Sequence, residues 1–138
     1  LRFMQALEST DTWNYTTATV RQMNNSTANQ LDFVRGLDED SVIASSLQLV
    51  QNSSAGVTVA GGIGLDSTSA FTGLTHRATT PVANYQVGLI GRYSGLPGIG
   101  RHFLSVNEFS AASGTTTWLG DGGAFSTTQS GITGEVWA

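Results

Sequence analysis

From Thr12 to the C-terminus, apolar residues recur at every second position, and glycine or polar clusters interrupt the runs every ~8–14 residues. "SVIASSLQLVQ" (41–51) sets Ile43, Leu47 and Leu49 on alternate positions, and "GVTVAGGIGLD" (56–66) does the same with Val57, Val59, Ile63 and Leu65. Successive side chains of a strand point to opposite faces, so this period buries one face of a sheet. A helix would need spacings of three and four. The runs 12–23, 30–36, 82–93, 101–111, 115–120 and 132–138 share the pattern or its β-branched and aromatic bias. Eight or more strands with turn signals between them predict one all-β domain, an antiparallel sandwich or barrel.

Only "LRFMQALES" (1–9) has helical spacing, with Leu1, Met4 and Leu7 on one face. It is too short to stand alone, so residues 1–11 read as the end of a stalk or linker ahead of a domain over 12–138. The chain opens on Leu rather than Met and is read as part of something longer. "NSSA" (52–55) has the length of a hairpin turn between two long strands, and 67–81 reads as a long polar connection.

Composition narrows the partners. Charged residues make up 12% of the 138, about half the usual share, and Ser, Thr, Asn and 17 Gly take their place. The net charge is −4, there is no Lys, and the six Arg are scattered, which argues against nucleic acid or an anionic membrane. With no Cys, neither a disulfide nor a thiolate metal site is available. No apolar run reaches spanning length, so membrane insertion is not expected.

Candidate chemistry is sparse. "GLPGIG" (95–100) is followed by strand period rather than a helix, so it reads as a turn and not as a phosphate cradle. His102, Ser105 and Glu108 are the residue types of a hydrolytic triad, but 102 and 108 on one strand stand about 20 Å apart. The acids 38–40 and Asp121 lack the spacing of a calcium loop, and "GDGG" (120–123) reads as a hairpin turn. Asn14, Asn24, Asn25 and Asn52 head Asn-x-Ser/Thr triplets, which chance supplies in such a composition. No catalytic residue, metal or cofactor is expected. Trp118 lies at a strand end before a turn, where it either packs in the core or stacks on a sugar.

"NSSAGVTVAGGIGLDST" (52–68), "YSGLPGIGRHFLSVNEFSAASGTTTWLGD" (93–121) and "SGITGEVWA" (130–138) resemble the C-terminal knob domains of tailed-bacteriophage fibre, needle or head-decoration proteins. These are similar in turn to tumour-necrosis-factor and complement-head jelly rolls. The resemblance covers about residues 41–138 and implies a ten-strand, two-sheet antiparallel jelly roll assembled as a homotrimer. It further implies a non-enzymatic virion knob, outside the cell, that attaches to a host-surface glycan or protein receptor. Within it, Phe103 and Val106–Phe109 are expected to be buried. Ligand-facing candidates are the loops 67–81, 94–100 and 119–129, with Arg92, Arg101, Trp118 and Asp121 as individual residues. A carbohydrate-binding β-sandwich module of an extracellular enzyme and a purely structural capsid decoration are the alternatives.

Overall fold

The computed structural model describes residues 1–122 and 127–137. In chain order the strands are β1 (Arg2–Leu7), β2 (Thr12–Asn14), β3 (Arg21–Gln22), β4 (Gln30–Arg35), β5 (Val42–Asn52) and β6 (Thr58–Leu65). They continue as β7 (His76–Thr79), β8 (Val87–Gly95), β9 (Gly100–Ser110), β10 (Thr116–Leu119) and β11 (Gly131–Val136). One 3₁₀ turn, Met23–Asn25, interrupts them. All pairings are antiparallel and make two sheets, the jelly-roll sandwich expected.

Each sheet is built on one long central strand. In sheet A, one edge of β5 pairs with β8 from Val42 to Val50. Its other edge is shared between β11, opposite Ile43–Leu47, and β10, opposite Leu49–Asn52. β1 continues beyond β11, and β2 beyond β10. In sheet B, β9 pairs with β6 on one edge and is shared between β4 and β3 on the other, while β7 continues beyond β6.

Four readings of the sequence need correction. Residues 2–7 form a strand paired with β11, not a helix, so they belong to sheet A rather than to a stalk. Six residues with apolar spacing compatible with either element are too few to hold helix geometry against a free strand edge. The run 12–23 is not one strand: β2 and β3 lie in different sheets, and 15–20 carries the chain between them. β5 and β6 are likewise in opposite sheets, so 53–57 crosses the sandwich instead of closing a hairpin. Finally, the connection 67–81 contains β7.

The core divides in two. Leu31, Phe33, Val42, Ala44, Ile63, Leu104, Val106 and Ile132 pack in the larger cluster. Val50, Val59, Leu89 and Trp118 form the smaller one, and Trp13 leans on both. Between the clusters the sheets approach backbone to backbone. A Cβ on Gly91 would lie 2.6 Å from both Gly62 Cα and Ser46 Oγ, and one on Gly61 would lie 2.2 Å from Gln48 Oε1. The glycines are there because nothing larger fits. Gln48 Nε2 uses the narrow gap to donate across it to the Asn107 carbonyl at 3.1 Å.

Candidate functional site

The residues singled out from sequence do not converge. Trp118 has no exposed surface, and its Nε1 donates to the Tyr15 carbonyl at 3.1 Å. A ring without an open face cannot stack on a sugar, so it leaves the ligand set and joins the core. Arg92 and Arg101 point away from the sandwich on opposite sides, because β8 buries Leu89, Gly91 and Tyr93 while β9 buries Leu104 and Val106. Arg101 pairs at the surface with Asp32 at 3.3 Å. Asp121 follows β10, and the loop 119–129 and "GDGG" turn run into 123–126, outside the described residues.

The three loops are equally dispersed. Residues 66–75 lie over sheet B, where Asn107 Nδ2 donates to the Ser67 and Ala70 carbonyls at 3.1 and 2.8 Å. Residues 96–99 join 36–41 at the end of the sandwich through Gly98 N donating to Asp38 Oδ1. Gly120 and Ser130 are hydrogen-bonded to the segment between β1 and β2, at the far edge of sheet A from β8.

The triad residue types are occupied separately. His102 Nδ1 meets Asp66 Oδ2 at 2.7 Å and its Nε2 meets the Gly98 carbonyl at 3.1 Å, which fixes the 96–99 turn. Burial works to raise the Asp66 pKa, but the bonds from His102 and the Phe103 amide outweigh it and leave it lowered. Ser105, fully buried, donates to Asn107 Oδ1. Glu108 is fully buried elsewhere, accepting from Trp13 Nε1 (3.0 Å), the Asn24 amide (2.7 Å) and Arg21 Nε (3.3 Å). Desolvation dominates these contacts and pushes its pKa up to about 7. This carboxylate ties β2, β3 and the 23–25 turn together across both sheets, with the Arg21 guanidinium 3.9 Å from the Tyr15 ring centre. Among the described residues no group of three His, Asp or Glu side chains is placed to hold a metal ion.

What the structure does gather is an apolar surface. Along β1, β11, β5 and β8 the outward residues align in rows through the register: Phe3–Glu135–Ile43–Ser94, Gln5–Thr133–Ser45–Arg92 and Leu7–Gly131–Leu47–Ile90. Phe3, Leu7, Ile43, Leu47 and Ile90 are 44–73% exposed. Shallow grooves run between them. One of about 530 Å³ lies between Phe3, Ile43 and Glu135, one of about 370 Å³ between Leu7, Leu47 and Ile90, and one of about 420 Å³ between Ile43, Leu74 and Arg92. Large exposed apolar side chains grouped on one sheet face mark an interaction surface.

The sequence did hold a signal for this face. Reading Ile43, Leu47 and Leu49 as the regular alternates of β5 leaves Val42, Ala44 and Val50 on the other register, and those are the residues turned inward. A strand apolar on both registers is the pattern of one covered on both faces.

No protein-family model matches this chain, and neither does any curated protein.

Proposed function

We propose that this domain is a non-enzymatic knob of a phage virion, a jelly roll that assembles as a homotrimer and attaches to a host-surface glycan or protein. The observation that carries the reading is the outward face of sheet A. Its rows of aliphatic and aromatic side chains are bare in the single chain, while the chain's own loop covers the corresponding face of sheet B. Obligate interfaces bury groups of this kind. The sequence resemblance over 41–138 supplies the virion context. A carbohydrate-binding module is less well supported, since the exposed aromatics Phe3, Tyr85 and Trp137 sit on β1, in the 80–86 loop and beyond β11, not in one row.

Light scattering of the purified chain at micromolar concentration tests the assembly, with three times 14.5 kDa expected and 14.5 kDa sinking the reading. Adsorption of the same protein to a bacterial surface panel and a glycan array tests attachment. A trimer that adsorbs to nothing, from a particle that still infects with the domain deleted, would replace attachment by structural decoration. Arg101→Ala is expected to weaken adsorption without altering the trimer, because Arg101 is 74% exposed on the opposite sheet.

A further inference from the structure

Two charges stand on a face that is otherwise neutral. Among the outward alternates of the six strands of sheet A, only Arg92 on β8 and Glu135 on β11 are ionic. Neither takes part in the ion pairs of the described residues, which join Arg21 to Glu108, Arg35 to Asp38, Arg101 to Asp32 and His102 to Asp66. The Arg92 main chain is engaged, through its two backbone bonds with Leu74, so its backbone is held in place while its guanidinium stays without a partner.

Their placement is specific. Arg92 lies opposite Ser45 and Glu135 opposite Ile43, on strands that flank β5 and are therefore about 10 Å apart. Each charge borders a different groove, Glu135 that of Phe3 and Arg92 that of Leu74, and Ile43 lines both. Whatever covers the aliphatic rows removes water from these two charges as well. An unpaired charge buried in this way opposes the contact that the apolar area favours, so the covering surface must bring an anion to Arg92 and a cation to Glu135.

A second copy of the chain carries both, on a surface of matching apolar character. Resting on the homotrimer reading above, we propose that Arg92 of one copy pairs with Glu135 of the next, and that this pair sets the register of the assembly. A closed ring of three needs two different patches in each contact, and the β8 and β11 sides of β5 are such a pair. Complementary charge of this kind chooses the partner and the register more than it adds affinity, and like charges brought together are strongly unfavourable.

A charge-swap cycle on the purified chain tests the pairing, read by light scattering over a dilution series with far-ultraviolet circular dichroism as the check on folding. Arg92→Glu and Glu135→Arg are each expected to keep the β spectrum and to weaken the trimer about tenfold or more. The double variant Arg92→Glu/Glu135→Arg is expected to return to within about threefold of the wild type. A wild-type trimer that neither single variant weakens overturns the pairing and leaves the homotrimer standing. Single variants that weaken it without recovery in the double also overturn the pairing. A monomeric wild type overturns the homotrimer reading itself. Should a single variant lose its β spectrum, Arg92→Gln and Glu135→Gln replace it, and an unchanged trimer in both then counts against the pairing.

Discussion

The two central strands, β5 and β9, have the same length and the same place in their sheets, yet their side chains are distributed in opposite ways. β9 buries polar residues: Ser105, Asn107 and Glu108 are fully enclosed. β5 and its neighbours leave Ile43, Leu47 and Ile90 in the open. The difference lies in what covers each sheet. Loop 66–75 folds onto the outer face of sheet B and brings carbonyls that need donors, so Asn107 inside is satisfied. Nothing of this chain lies on the outer face of sheet A, so its aliphatics await a surface from elsewhere. Polar residues stay buried where the chain supplies their partners, and apolar residues stay exposed where it does not.

The most disruptive test of this contrast is Asn107→Ala. It leaves the Ser67 and Ala70 carbonyls and the Ser105 hydroxyl without their partner, and is expected to lower stability by about 3 kcal/mol or more in urea denaturation. A loss below about 1 kcal/mol would mean that the loop does not depend on this anchor.

Glu108 gives the second test, through pH. Its folded pKa is raised, so the folded chain binds the proton more tightly than the unfolded one. Stability attributable to it is therefore full below the ordinary carboxylate range and falls as pH rises toward about 7, by about 2–3 kcal/mol at most. Glu8 behaves oppositely. Burial would raise its pKa, but bonds from Asn29 and Thr10 outweigh burial and leave it lowered, as happens at Asp66. Both add stability above the ordinary carboxylate range that is lost on acidification. Urea midpoints are thus expected to peak in weakly acidic buffer and decline by pH 8, and Glu108→Gln should flatten that decline. A midpoint that keeps rising from pH 5 to 8 would show the interior of sheet B to be less desolvated than its geometry implies.

A matched pair of glycines sharpens the comparison further. A Cβ on Gly64, under the loop of sheet B, would lie 2.2 Å from the Ser67 carbonyl, whereas one on Gly88, on the outer face of sheet A, meets nothing within 4 Å. Gly64→Ala is expected to destabilise by about 1–3 kcal/mol and Gly88→Ala to be neutral or slightly stabilising, both by thermal melting. Equal effects would mean the two faces are equally covered.

The smallest expected effect on folding is that of Leu47→Ser, at most about 0.5 kcal/mol in the folded monomer, because the side chain is 44% exposed. Its effect on light scattering should be large, since it removes the middle of the aliphatic row. A folded variant that stays fully trimeric would move the interface off this face.

Sequence by itself determined the all-β class and most strand positions. Two-residue alternation and glycine punctuation are local, and β4, β5, β6, β8 and β9 fall where they place them. Local pattern also separated His102 from Glu108, since their distance along one strand does not depend on the rest of the fold. Tertiary structure alone decided which register faced inward in β5, because Val42 and Ile43 are equally apolar and only the opposing sheet distinguishes them. It decided as well that residues 2–7 form a strand, since the partner edge on β11 is more than a hundred residues away in sequence. Trp118 went inside and Asn107 and Glu108 were enclosed for the same reason. Burial is set by what the chain brings over a residue from a distance, and no neighbouring residue in sequence records that.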